Sequence, residues 1–242
     1  MNRWEDGLTE NIEIKLSKVI SDICKNPLLF VSETDIHFLI MHELMQIEKI
    51  SRRYTTNCTI GKNKKGNKST NKYETICIHK EYGHSDIKKK RTDIVILHPE
   101  DIKKIDGPFR LKEKDEWILP YYMFELGCDT IGEFETHFKQ DIDKVKKSKK
   151  VGYVIHIERR FCRSQGERHK RHNLKYQEYE RIIKNMLPLK PTNVKIIIAL
   201  IDIGNSDRII KSKIKLFNVK KNKFEDINQK NLEKGILDNL KE

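Results

Sequence analysis

The sequence predicts an α/β domain in which a mixed central β-sheet is flanked by helices. Two stretches with helical periodicity open the chain, three apolar runs follow at close spacing, and helices and apolar runs alternate after that. Neighbouring parallel strands need a connection of about a dozen residues or more, so the first three strands are too close together for a doubly wound parallel fold. This order of elements indicates a mixed sheet between helical layers.

Two helices are predicted in the first 50 residues. Apolar side chains recur at helical spacing from Leu8 to Cys24, and Asn26-Pro27 ends that helix. A second helix is expected to follow Ser32, which has Asp35 as its capping-box partner, and to continue to about Ile50.

Three strands are expected between residues 57 and 97. The first two, near residues 57–60 and 73–80, flank a lysine-rich segment (residues 61–72) that has no apolar side chain and is expected to form a loop. The third strand covers residues 91–97. An irregular stretch, residues 98–120, then leads to a strand at residues 121–126.

The second half of the chain alternates between helices and strands. The elements predicted there are a helix at residues 131–145, a buried strand at 151–157, a helix at 176–186, a buried strand at 194–203, a strand at 214–219 and a helix at 231–240. We expect one domain over residues 1–242, with its core at about 32–203. The helix at 8–25 and the segment 209–242 are expected to be appendages.

The charge balance points to a polyanionic partner. The chain has 49 Lys and Arg against 36 Asp and Glu, which gives a formal net charge of +13. Because the basic residues occur in clusters, nucleic acid is the favoured partner. The alternative is a lysine-rich bias that only increases solubility.

Cysteine usage and hydropathy indicate the cytoplasm. The five cysteines are odd in number and have no CxxC spacing, so neither a disulfide framework nor a structural zinc site is expected. The N-terminus does not have the pattern of a signal peptide, and no apolar run approaches the roughly 18 residues of a membrane span. We therefore expect a cytoplasmic protein with no membrane partner.

Two acidic residues occur inside apolar strands. Asp93 interrupts the run at residues 91–97, and Glu125 interrupts the run at residues 121–126. A buried carboxylate needs a partner. If the two strands pair antiparallel, both carboxylates can bind one divalent cation. A third acid can come from the second helix, where Glu33 and Glu43 are separated by ~15 Å along the axis, so that only one can reach the ion; Glu33 is preferred.

These residues, in this order, resemble the PD-(D/E)XK nuclease superfamily, which has the restriction-endonuclease-like fold. The resemblance covers roughly Ser32 to Glu158 and is based on Arg-Thr-Asp-Ile-Val-Ile-Leu at residues 91–97 and Phe-Glu-Leu-Gly at residues 124–127. It implies a nuclease that uses Mg²⁺, or Mn²⁺ in its place, with Asp93, Glu125 and Glu33 as metal ligands. Double-stranded DNA is the expected substrate on family prevalence, and foreign-DNA defence or repair is the role suggested by analogy.

One position departs from the family pattern. The family has a lysine two residues after the third-motif Glu, where this chain has Gly127. Either the lysine has moved to another element, or the site uses another base, or the chain is a catalytically inactive nucleic-acid-binding relative or an inactivated variant. Lys144 and His137, on one strip of the helix at 131–145, are the candidate catalytic substitutes. A gain of cleavage activity in Gly127→Lys would show that the site is otherwise intact.

Other residues are assigned supporting roles. Glu81, at the end of a strand, is a further candidate metal ligand, with a surface charge as the alternative. The basic residues expected to contact the nucleic-acid backbone are Lys64, Lys65, Lys90, Arg91, Arg159, Arg160, Arg163 and Arg168. The sequence leaves open whether the protein acts as a homodimer.

Overall fold

A computed structural model describes most of the chain. The described residues are 4–27, 32–62, 68–83, 91–105, 112–113, 116–128, 131–162, 168–206 and 209–242. The helices are α1 (Leu8–Lys25), α2 (Glu33–Leu44), α3 (Glu48–Ser51), α4 (Pro99–Ile102), α5 (Ile131–Val145), α6 (Arg168–Met186) and α7 (Leu232–Leu240). The strands are β1 (Tyr54–Lys62), β2 (Lys68–Thr75), β3 (Ile78–Gly83), β4 (Arg91–Ile96), β5 (Lys112–Glu113), β6 (Glu116–Trp117), β7 (Tyr122–Gly127), β8 (Val151–Cys162), β9 (Val194–Ser206), β10 (Ile209–Asn218) and β11 (Lys223–Asp226).

A mixed seven-stranded sheet forms the centre of the fold, with the strand order β11-β10-β9-β8-β7-β4-β3. Strands β7, β8 and β9 are parallel, because α5 and α6 provide the crossovers between them. The strands on either side, β3 and β4 at one edge and β10 and β11 at the other, run antiparallel to their neighbours. The predicted fold class, a mixed sheet between helices, is confirmed.

Helices cover both faces of the sheet, and the alternation of side chains along the strands assigns each helix to a face. On one face, the Tyr122 hydroxyl lies 2.8 Å from Thr9 Oγ1 of α1, and Lys195 of β9 lies 2.6 Å from Glu13 of α1. On the other face, Tyr179 of α6 donates to Glu158 of β8 at 2.5 Å. The helices α1, α2 and α7 therefore form one layer, and α5 and α6 form the other.

The structure changes several predicted boundaries. The second helix ends at Leu44 rather than near Ile50, because a tight turn closed by hydrogen bonds from Gln46 to Glu43 and from Ile47 to Leu44 redirects the chain into α3. The strand expected at 73–80 is divided between β2, in a separate two-stranded sheet, and β3, in the central sheet.

Regular structure also extends into segments predicted to be irregular. Within the lysine-rich segment at 61–72, residues 61–62 lie in β1 and residues 68–72 lie in β2, and residues 98–120 contain α4, β5 and β6. Strand β8 continues to Cys162 and α6 begins at Arg168; the polar start of α6 has no apolar period from which it could be predicted. Among the described residues, no helix is long and apolar enough to cross a membrane.

Both segments predicted as appendages belong to the hydrophobic core. Leu8, Ile12 and Leu16 of α1 and Ile236 of α7 are fully buried in it. The predicted capping box of α2 is present, with the Ser32 N–H donating to the Asp35 carboxylate at 2.8 Å. Asp35 is therefore a capping residue, and the box defines where α2 begins beside the sheet.

Candidate metal centre

The site is built on the end of the β4–β7 ladder. The paired residues are Ile96–Tyr122, Val95–Met123 and Ile94–Phe124, and the same register continued by one residue places Asp93 opposite Glu125. The Leu126 N–H donates to Asp93 Oδ2 at 2.7 Å. The two acid-bearing strands pair antiparallel, which is the condition on which the shared-cation interpretation depends.

Helix α2 adds Glu33 and His37 to this end of the sheet. His37 Nε2 lies 3.6 Å from Asp93 Oδ2 and 3.7 Å from Glu33 Oε1. One potential ligand atom from each of the three residues lies within 4.8 Å of the other two. Glu43, the other helical acid, instead forms ion pairs with Lys15 and Lys18. The structure thus brings together Glu33 and Asp93, as predicted.

The sequence interpretation missed His37. It follows Glu33 by four residues on α2, and residues at that spacing lie on one face of a helix. That spacing is the signal that could have identified it. A histidine on the buried face of a helix is usually part of the core. What distinguishes His37 is that it lies 3.6 Å from Asp93, and no local sequence pattern records that contact.

Burial strongly affects the two strand acids. It raises the pKa of Asp93 to about 7, against the opposing effects of the Leu126 N–H and the Lys144 charge. Burial, together with the charges of Asp93 and Asp141, raises the pKa of Glu125 well above its usual range. The surroundings of each acid therefore favour a nearby cation, which would stabilise the ionised carboxylate.

The imidazole of His37 is suited to bind a metal. Burial, with a smaller contribution from the Lys80 charge, lowers its pKa to about 4. The ring is therefore neutral near pH 7, and a neutral imidazole has a lone pair that it can donate to a metal.

Unpaired polar atoms give a test of whether a cation fits. Among the described residues, both ring nitrogens of His37 and Oε1 of Glu125 are buried without a hydrogen-bond partner, although buried polar groups are normally paired. Carboxylate oxygens from Glu33, Asp93 and Glu125 are the ligands preferred by Mg²⁺, and an added imidazole nitrogen suits Mn²⁺ as well. The residues fit a divalent cation.

Lys144 of α5 reaches Glu125 from the opposite helical layer. Its Nζ forms an ion pair with Glu125 Oε2 and lies 3.3 Å from Asp141 Oδ1. Burial disfavours the charged ammonium, but Glu125 and Asp141 outweigh it and raise the pKa of Lys144. Of the two predicted substitutes for the missing lysine, Lys144 is therefore at the site, whereas the His137 side chain is exposed to solvent.

Gly127 lies against the ring of His156. A Cβ added at position 127 would be 2.4 Å from Cε1 and 2.5 Å from Nδ1 of His156, which is buried. A lysine at this position has no room unless His156 moves. A failure of Gly127→Lys to gain activity would therefore reflect packing at this position rather than a defective site.

We expect Gly127→Ala to destabilise the protein by about 1–3 kcal/mol, because overpacking a buried contact forces neighbouring groups to move. Thermal unfolding of Gly127→Ala, His156→Ala and the double variant measures this. The cost of the added methyl group should be much smaller in the His156→Ala background. An equal cost in both backgrounds would show that the contact with His156 is not its cause.

Glu81 lies outside the group formed by Glu33, His37 and Asp93. Its backbone has a φ of 53° and interrupts the β3–β4 ladder between the pairs Lys80–Ile94 and Tyr82–Thr92. Its carboxylate is half exposed and lies 3.9 Å from Arg91 Nη1. A positive φ is uncommon for a residue with a side chain, and here it accompanies an ion pair rather than the predicted contact with the metal group.

The predicted nucleic-acid contacts are only partly described. Arg91 is exposed beside Glu81 at the start of β4. Arg159 is half-buried and donates to the Pro27 carbonyl at 3.0 Å, so it connects β8 to the end of α1. The side chains of Arg160 and Arg168, and the residues Lys64, Lys65, Lys90 and Arg163, lie outside the described part of the structure.

The chain has little similarity to known proteins. No protein-family model and no curated protein matches the chain. Among solved structures, the chain is similar to the YaeQ protein from Xanthomonas axonopodis pv. citri, with 8% sequence identity, coverage of 68% of this chain and 89% of that chain, and a TM-score of 0.21.

Proposed function

We propose that the protein is a divalent-metal-dependent nuclease that hydrolyses phosphodiester bonds in DNA, with Mg²⁺ or Mn²⁺ as the cofactor. The observation that carries this proposal is the meeting of Asp93, Glu125 and the Lys144 ammonium at one end of the β4–β7 ladder. The order α2, β3, β4, β7, α5, β8 also supports a restriction-endonuclease-like fold, since it is the order on which the resemblance was based.

The metal would be held by Asp93 and Glu125, with Glu33 and His37 as the ligands from α2. When bound, a divalent cation lowers the pKa of a water molecule and stabilises negative charge on a phosphate. The Leu126 N–H donates to Asp93 Oδ2, the oxygen that also lies 3.6 Å from His37 Nε2, and so holds this carboxylate beside α2.

Lys144 takes the role that the family gives to the lysine two residues after the motif Glu. Its ammonium, held by Glu125 and Asp141, stabilises the negative charge that develops as water attacks the phosphorus, and it lowers the pKa of that water. An ammonium needs only to be near the reacting phosphate, so a helix can supply it as well as a strand. The missing strand lysine is thus compatible with activity.

The net charge of +13 supports a polyanionic substrate. Double-stranded DNA is the substrate we propose, in foreign-DNA defence or repair and in the cytoplasm. These parts of the proposal come from the resemblance and the composition, and they are independent of the metal site.

Incubation of purified protein with supercoiled plasmid and Mn²⁺, Mg²⁺ or EDTA tests the proposal. We expect nicked or linear product with either metal and none with EDTA, with Mn²⁺ more effective because His37 provides a nitrogen ligand. Asp93→Ala should be inactive. Glu43→Gln is the matched control, because Glu43 lies on the same helix as Glu33 but forms ion pairs with Lys15 and Lys18.

Two outcomes would count against the proposal. Cleavage that persists in Asp93→Ala would mean that the activity comes from elsewhere. No cleavage by the unmodified protein, with salt-sensitive DNA binding retained, would favour the catalytically inactive binding protein.

A further inference from the structure

A continuous chain of buried contacts runs behind the candidate site. Glu125 contacts Lys144, Lys144 contacts Asp141, and Asp141 Oδ2 lies 3.2 Å from His156 Nε2. All four side chains are at least four-fifths buried. Of these four residues, Glu125 and Lys144 have a role in the proposed reaction, and Asp141 and His156 lie behind them.

We infer that Asp141 and His156 are positioning residues, which hold the Lys144 ammonium at the reacting phosphate in place of a lysine at position 127. The inference rests on the proposed function. It assigns no contact with substrate or metal to either residue. Their effect is on where the Lys144 Nζ lies.

A lysine side chain is flexible unless its neighbours hold it. A lysine side chain loses up to about 2 kcal/mol of conformational entropy when it is fixed, and on a helix edge it has several rotamers available. Asp141 precedes Lys144 by three residues, so the two side chains lie on the same face of α5. The Nζ atom is therefore held from two directions, by Glu125 on the sheet and by Asp141 on the helix.

The Asp141 carboxylate is itself held in place by His156. One oxygen of its carboxylate faces Lys144 and the other faces His156. The His156 ring in turn packs edge-on against Phe134 and Phe138, with ring centroids 5.2 and 5.8 Å apart and interplanar angles of 88° and 86°. These contacts leave the imidazole little freedom to turn.

The position of the His156 ring is linked to the glycine that replaces the family lysine at position 127. The His156 ring occupies the space into which a side chain at position 127 would project. The absence of a side chain there is therefore what allows His156 to reach Asp141. Gly127, His156, Asp141 and Lys144 form one unit, in which the glycine and the helical lysine depend on each other.

A pair of His156 variants separates positioning from packing. His156→Phe keeps a ring between Phe134 and Phe138 but removes the nitrogen that faces Asp141, whereas His156→Gln keeps a polar group that can donate to Asp141. We expect His156→Phe and Asp141→Asn to lower kcat for plasmid cleavage by about 10- to 100-fold, as a small misplacement of a catalytic group does. KM for DNA and Mn²⁺ affinity should change little, and His156→Gln should recover part of kcat. Tyr179→Phe is the control, because it removes a buried hydrogen bond to Glu158 on the same face.

A second readout does not depend on cleavage. Acylation of lysines in the metal-free protein, followed by mass spectrometry, compares Lys144 with the exposed Lys139 on the same helix. We expect Lys144 to react several-fold faster, relative to Lys139, in His156→Phe and Asp141→Asn than in the unmodified protein or in Tyr179→Phe.

The two readouts distinguish the possible failures. If the unmodified protein does not cleave DNA but the acylation rates change as expected, the proposed function fails while Asp141 and His156 still position Lys144. If cleavage and acylation in His156→Phe both match the unmodified protein, the positioning inference is overturned. A lower melting temperature for His156→Phe, with unchanged kcat and unchanged acylation, would likewise show that His156 only stabilises the core.

Discussion

Lys144→Ala is expected to lower the rate of DNA cleavage by about 10²- to 10³-fold, the usual range for loss of one preorganised group that stabilises transition-state charge. The variant removes the ammonium that contacts Glu125 and lies 3.3 Å from Asp141. The ion pair between α5 and Glu125 is then lost, and with it the charge that stabilises the phosphate in the proposed reaction. Single-turnover cleavage of a labelled duplex at saturating Mn²⁺ measures the effect on the chemical step.

Lys139→Ala is the matched control for this prediction. Lys139 lies on the same helix with its side chain exposed, so its loss removes an equal charge without changing the site. If Lys144→Ala cleaves within a few-fold of the unmodified protein while Asp93→Ala is inactive, Lys144 is not the substitute for the missing lysine. Lys144→Arg keeps the charge but not the shape of the side chain. Its cleavage rate should remain well below that of the unmodified protein, because a planar guanidinium does not replace a compact ammonium.

Asp93→Asn is expected to make the metal-free protein more stable at pH 8, although it removes a central residue of the site. Burial raises the pKa of Asp93 from 3.8 to about 7, so its ionised form destabilises the folded state. A shift of this size corresponds to an upper limit of about 4 kcal/mol. We expect about 1–3 kcal/mol after allowing for the partners that the asparagine amide must find, or several degrees in Tm for a chain of this size.

The stability advantage of Asp93→Asn over the unmodified protein should depend on pH. Below about pH 4 the carboxyl is protonated in both the folded and the unfolded chain, so the variant should have no advantage. Between about pH 4 and 7 the unfolded chain is ionised while the folded chain keeps its proton, and the advantage of Asp93→Asn should grow as the pH rises. Above about pH 7 both states are ionised and the advantage should be constant. Thermal melts across this range, in EDTA, measure the difference.

With Mn²⁺ bound, the unmodified protein should become more stable than Asp93→Asn. A cation at a hundred times its Kd stabilises a folded protein by about 2.7 kcal/mol, so Mn²⁺ should raise the Tm of the unmodified protein and have little effect on Asp93→Asn. A Tm for Asp93→Asn below that of the unmodified protein at pH 8 in EDTA would contradict the assignment of a destabilising buried charge. An equal Mn²⁺ response in both proteins would exclude Asp93 as a ligand.

Much of the fold follows from local patterns. The bounds of α5 were predicted to the residue, at 131–145, because its apolar residues recur with a clear helical period. The strands that carry Asp93 and Glu125 were predicted because both are apolar runs interrupted by one acid. Elements without such a pattern were missed or shortened, as at the polar start of α6, and the turn after Leu44 has no residue that marks it in the sequence.

The residues around the two acids depend on distances that no local pattern contains. Composition and periodicity identified Asp93 and Glu125 as acids in apolar strands and put Lys144 and His137 on one strip of a helix. They did not indicate that His37 lies 3.6 Å from Asp93, or that Asp141 lies between Lys144 and His156. These contacts join α2 and α5 to opposite sides of one sheet, so they depend on strand register and helix packing. Gly127 shows the difference most clearly: in the sequence it is a missing lysine, and in the folded chain it is the space that the His156 ring requires.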